Sequence, residues 1–133
     1  IRLSRFTANI YFEKKAFLLV KYFSGYISRS PSAFCMFMCG LDFQLSSSTE
    51  IVITSAPNDN LAITGIEFIR SIFNPNKVVI HKFDNIDKDL AEVLSFTNDM
   101  KMKNNNTTFY VCRDYSCDQP VNSVIELEKL LLS

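Results

Sequence analysis

Ile51-Val52-Ile53-Thr54 is the stretch on which the fold turns. All four residues are β-branched, a class that is stiff at χ1 and packs well on a pleated surface. The polar, aperiodic stretch 46–50 (SSSTE) precedes it and Pro57-Asn58-Asp59-Asn60 follows it. A short apolar run between turn residues reads as a buried strand. Positions 61–73 then place Ala62, Ile66, Ile69 and Phe73 three or four apart, the period of a helix buried on one side. Asn74-Pro75-Asn76 stops it. Val78-Val79-Ile80 reads as a second buried strand, 87–96 as a short helix and 107–112 as a third strand. Gln119-Pro120 leads into a last helix with Val124, Leu127, Leu130 and Leu131 on one side. Strand and helix alternate three times, and the strands read as apolar on both faces. This predicts an α/β layer of three parallel strands joined by right-handed crossovers. The first strand is the least polar and is placed in the middle, in the order 2-1-3. The loop 101–106 (KMKNNN) reads as solvated and mobile.

Upstream of the 46–50 boundary the period is helical throughout. Phe12, Ala16, Leu19, Val20, Phe23 and Ile27 recur at spacings of three and four between 11 and 29, with Lys14, Lys15, Lys21 and Ser24 elsewhere. Asn9 suits the cap of this helix. Pro31 ends it and opens another, capped by Ser30, with Phe34, Met38, Leu41 and Leu45 on one face. A short helix holding Leu3 and Phe6 comes first. The organisation is therefore a helical hairpin over 1–45 followed by a small α/β segment over 50–133. The long helix carries apolar residues beyond its main stripe (Phe17, Leu18, Tyr22, Tyr26), enough for two partners. An uncovered face on residues 1–30 and self-association of the isolated chain are the expectation.

Composition bounds the rest. Hydrophobic residues make up 47% of the 133, enough for a packed core. Fourteen basic side chains cancel fourteen acidic ones, so no long-range field draws the chain onto nucleic acid or anionic lipid. The longest apolar run, 34–41, falls far short of the roughly 20 residues a spanning helix needs. The chain begins with Ile1 and is read as a piece of a longer protein. Its four cysteines are too few and too unevenly placed for a secreted disulfide scaffold, which points to a cytoplasmic protein with reduced thiols.

Chemistry has few places to reside. Cys112 and Cys117 stand at the exit of the third strand, in Tyr110-Val111-Cys112-Arg113-Asp114-Tyr115-Ser116-Cys117-Asp118. Four intervening residues let the two sulfurs meet, as a disulfide, a redox pair or ligands of a shared metal. The usual redox and zinc spacings have two intervening residues, and the plain alternative is a core thiol and a loop residue. Arg113 favours a thiolate there; Asp114 and Asp118 oppose it. The pair is expected to lie within bridging distance and mainly to pin the loop. Cys35 and Cys39 share a helix face among Phe34, Met36, Phe37 and Met38, and are expected to be buried and inert.

His81, the single histidine, closes the second strand. Ligands of parallel sheets bind at strand ends, which makes Asn58, Asp59, His81 and Arg113 the candidate contacts. The plain readings are a helix cap at Asn58 or Asp59 and a solvent-touching His81 without a serine or cysteine nucleophile beside it. The loop 55–60 has no glycine, so its backbone cannot close on a pyrophosphate. Asp84, Asp87 and Asp89 read as caps and a solvated face. No catalytic set, resident metal or cofactor is expected.

Four stretches carry a family resemblance: Phe23-Ser24-Gly25-Tyr26-Ile27, Pro31-Ser32-Ala33-Phe34 with Leu41-Asp42-Phe43, Glu50-Ile51-Val52-Ile53, and Tyr110-Val111-Cys112 with Cys117 and Pro120-Val121. In order and spacing they resemble the C-terminal end of the spermatogenesis-associated thioredoxin-like proteins. The resemblance implies an upstream thioredoxin-like domain and an α/α toroid similar to sugar 2-epimerases and six-hairpin glycosidases. Residues 1–45 would be the toroid's last helices and 50–133 the segment after it. The implied role is a C-terminal module that closes a larger protein of carbohydrate-related activity, with the upstream domains as its partner. The alternative is thiol redox or small-ligand binding at Cys112 and Cys117.

Overall fold

A computed structural model describes residues 1–84, 88–113 and 116–132. Helix α1 (Arg2–Thr7) ends at Ala8 in the left-handed region, φ 51°. Helix α2 (Ile10–Arg29) starts at Asn9, whose side chain accepts the Tyr11 N–H as expected of its cap. At Ser30 the expected side-chain cap is not made; Pro31 alone sets the break, through a 3₁₀ turn (Pro31–Phe34) into α3 (Cys35–Leu45).

Strand β1 (Thr49–Ser55) is buried at all seven positions. Helix α4 (Asn60–Ser71), strand β2 (Lys77–Phe83), helix α5 (Lys88–Val93) and a 3₁₀ turn (Ser95–Thr97) follow. Strands β3 (Thr108–Arg113) and β4 (Ser116–Cys117) and helix α6 (Val124–Leu132) complete the chain.

The sheet corrects the expected topology. Among the described residues it has four strands in the order β2-β1-β3-β4 and is mixed: β1 and β2 are parallel, whereas β3 runs antiparallel to β1 and β4 antiparallel to β3. The reason is where the connection is held, not how far it could reach, since the stretch between β2 and β3 is longer than the one between β1 and β2. The chain is held at the end where β2 finishes. Thr54 Oγ1 donates to the Met100 carbonyl at 2.9 Å and the Tyr110 hydroxyl to the Lys101 carbonyl at 2.6 Å. β3 therefore enters beside the end of β1, with Thr54 opposite Thr108.

The loop over 101–106 forms a tight turn. Asn104 and Asn105 both sit in the left-handed region, φ 55° and 57°, as a two-residue hairpin turn demands and asparagine tolerates. Lys103 pairs with Asn106 across it, and the Lys103 N–H donates to Thr108 Oγ1 at 2.8 Å.

Each sheet face carries a core. Ile51, Ile53, Phe109 and Val111 point toward α4 and α6, meeting Ala62, Ile69 and Leu127. Val52, Val78, Ile80 and Tyr110 face the other way, toward Phe43, Leu94 and the partly buried Ile1 and Phe6. The expected apolar face of α6 holds, with Leu127 fully buried. β2 departs from expectation: it alternates, with Val78, Ile80 and Lys82 buried and Val79, His81 and Phe83 exposed, because it is an edge strand that α4 does not cover. Phe73, expected to face inward, is 94% exposed because α4 ends before it.

The helical pair is joined loosely to this layer. Phe43 is the buried residue of α3, and the Arg2 guanidinium lies 4.8 Å from the centre of its ring while donating to the Lys77 carbonyl at 3.1 Å. Along α2 only Ile27 is buried, although the helix has 20 residues. An open groove of about 500 Å³ runs between α2 and α3, floored by Leu19, Val20, Phe34 and Phe37. Cys35 and Cys39 are exposed, not buried as expected, because the face of α3 that carries them has nothing packed over it among the described residues.

Candidate functional site

The third strand delivers Cys112 to the edge of the sheet. β3 is buried from Thr108 to Cys112 and emerges at Arg113, and β4 folds back beside it. Cys112 and Cys117 stand directly opposite each other in the antiparallel ladder, their Cα atoms 3.9 Å apart, and their sulfurs are bonded. Cys112 is 5% exposed, whereas Cys117 is open to solvent. Arg113 pairs with Asp118 at 3.0 Å and also donates to the Leu130 carbonyl, tying the strand pair to the end of α6. This exposed ion pair contributes little stability by itself, of order 0–1 kcal/mol. Asp114, expected to oppose a thiolate here, lies outside the described residues, as does Asp87 of the acidic cluster.

Because β3 is antiparallel, its exit lies at the opposite end of the sheet from the exits of β1 and β2. Arg113 sits opposite Thr49, at the start of β1. Asn58, Asp59 and His81 belong to the far end. The structure therefore does not bring Arg113 together with them.

Asp59 caps α4, its carboxylate accepting the N–H groups of Leu61 at 2.8 Å and Ala62 at 3.0 Å. Asn58 takes the left-handed turn before it, φ 58°. The Ala62 N–H is the main cause of an Asp59 pKa below the ordinary 3.8. The unfolded carboxyl then binds a proton more readily than the folded one, so this cap stabilises fully above the ordinary carboxylate range. Its contribution fades as pH falls through that range toward the folded value. Asp59→Ala should cost about 0.5–2 kcal/mol at neutral pH, and the difference from the parent should shrink in urea melts near pH 3. A pH-independent difference would contradict the cap reading.

His81 does have a serine beside it, which the sequence reading missed. Its Nε2 lies 2.9 Å from Oγ of the buried Ser55, two positions further along the adjacent strand. Nothing in the spacing of 55 and 81 announces this contact; the β1–β2 register creates it. The Ser55 hydroxyl also reaches the Ala56 carbonyl at 2.9 Å; it accepts from His81 when Nε2 is protonated and can donate to it in the other tautomer. Partial desolvation lowers the His81 pKa below 6.5.

Two lysines also escaped the sequence reading. Lys77 donates to the Ile69 and Ile72 carbonyls and so closes the C-terminus of α4, where a cation suits the helix dipole. Lys82 is buried, donates to the Thr97 carbonyl, and has its pKa lowered by desolvation. Among the described residues no three His, Cys, Asp or Glu side chains converge as a metal site. No described helix is long and apolar enough to cross a membrane.

No family model and no solved structure matches the chain. Curated proteins do match, across 131 residues and 98% of it, helices and α/β layer together. The chain is similar to spermatogenesis-associated protein 20. It is 28% identical to spermatogenesis-associated protein 20 of Homo sapiens and of Mus musculus, and 27% identical to that of Rattus norvegicus. It spans only 17% of the length of these relatives, and the match falls on a C-terminal portion of them. Spermatogenesis-associated protein 20 is thus a larger protein, of which this chain resembles one part.

Proposed function

We propose that this chain is the C-terminal structural module of a larger protein and works by seating α2 and α3 against the polypeptide that precedes it. One observation carries the reading: a 20-residue helix with a single buried side chain, while Phe17, Leu18, Leu19, Tyr22 and Tyr26 are each more than half exposed. Contiguous apolar surface of this kind marks an interface. The occupant we assign is the remainder of the same polypeptide, because the relatives that match this chain are about six times its length. The resemblance to α/α toroids supports the same assignment, residues 1–45 then being the last helices of the toroid. In this reading a carbohydrate-related activity belongs to the preceding part, in the cytoplasm, and residues 50–133 brace it.

Cys35 and Cys39 provide the test, since both are exposed in this chain and Cys35 lines the groove. In the full-length protein their alkylation by N-ethylmaleimide should be at least about tenfold slower than in the isolated chain, access being what separates an inert thiol from a reactive one. Equal rates in the two would overturn the proposal. The isolated chain should also self-associate through the same face, which light scattering with and without full-length partner segments would register.

A further inference from the structure

The cysteine pair has a property that docking through α2 and α3 does not use: its two sulfurs are unequally accessible. Thiol–disulfide exchange requires a thiolate to reach one sulfur and expel the other. Cys117 is on the exposed edge strand, and Cys112 is 5% exposed beneath it. We propose that Cys112–Cys117 is a thiol–disulfide exchange site for a small thiol or dithiol, attacked at Cys117, with Cys112 as the leaving and resolving sulfur.

The step balances without any resident group. The incoming thiolate forms a bond to Cys117 Sγ. The electron pair of the old sulfur–sulfur bond goes to Cys112 Sγ, which takes up a proton from water. A second thiol of the reductant then displaces Cys117, leaving the protein with two thiols and the reductant as a disulfide. Running the sequence backward with an oxidised dithiol re-forms the bridge.

The surrounding contacts make the cycle local. Opening the bridge leaves β3 paired with β1 from Thr108 to Arg113. The returning segment stays attached by the Asp118 N–H to the Val111 carbonyl at 2.9 Å and by the mutual bonds of Phe109 and Val121 at 2.8 and 3.0 Å. Arg113 and Asp118 add a weak, exposed ion pair across the same turn. The cysteines therefore remain facing each other when reduced, ready to close again. A bridge spanning five positions also encloses too short a loop to be a major staple of the fold.

Brief exposure of the full-length protein to reduced glutathione, acid quench and peptide mass spectrometry tests this. The glutathione adduct should fall on Cys117 in at least about tenfold excess over Cys112, as the accessible sulfur dictates, with near-ultraviolet dichroism unchanged. As a second measurement, Cys112→Ala should leave Cys117 readily alkylated, and Cys117→Ala should leave Cys112 resistant by a similar factor. Adduct mainly on Cys112, no adduct until the protein unfolds, or two free thiols that a mild disulfide oxidant fails to bridge would each overturn the proposal. Should Cys112→Ala misfold, the adduct position in the unaltered protein decides alone.

Discussion

Phe109→Ala is expected to cost about 3–5 kcal/mol, the range for deleting a buried phenylalanine. Phe109 is fully buried on the face of the sheet shared with α4 and α6. Its ring rests against the backbone of α4 at Gly65, where an added Cβ would overlap Cε1 and Cζ of that ring. Glycine at 65 is thus required by close approach and not by backbone conformation, its φ being an ordinary helical one. Gly65→Ala should by itself destabilise by about 1–3 kcal/mol through overpacking. Because the two positions share one contact, Gly65→Ala with Phe109→Leu should cost less than the sum of the single changes by at least about 0.5 kcal/mol. Urea denaturation of the four proteins in this cycle gives the coupling directly. Strictly additive costs would show that α4 shifts instead of the ring yielding.

Phe17→Asp and Tyr22→Asp should have opposite outcomes in two contexts. In the isolated chain both positions are more than half exposed, so each change should move stability by no more than about 0.5 kcal/mol. In the full-length protein the same side chains are proposed to lie against preceding helices, where burying a carboxylate and losing an aromatic should together cost more than about 2 kcal/mol. The isolated double variant should also lose its tendency to associate. Small, equal effects in both contexts would remove α2 as a docking helix.

Much of the secondary structure was legible in sequence because its causes are local. The β-branched run at 51–54, the helical spacing of Ala62, Ile66 and Ile69, and the cap residues Asn9 and Asp59 each act within a few positions of themselves. The central place of β1 followed from the same logic, since a strand buried at every position needs neighbours on both sides and layers on both faces.

The direction of β3 was not legible. It depended on where Thr54 and Tyr110 anchor the returning chain, which is a fact about position in three dimensions. Reversing that strand divided the candidate site, sending Arg113 and the cysteines to one end of the sheet and leaving Asp59 and His81 at the other. The Ser55–His81 contact and the exposure of Cys35 and Cys39 likewise belong to tertiary structure alone. Apolar periodicity marks which side of a helix prefers to be covered; it carries no information on whether this chain supplies the cover. The sequence by itself determined the elements, their caps and the central strand, through short-range sterics and burial. Tertiary structure decided strand direction, which sulfur faces water, and which apolar faces stay open, because each depends on what else arrives at the same place.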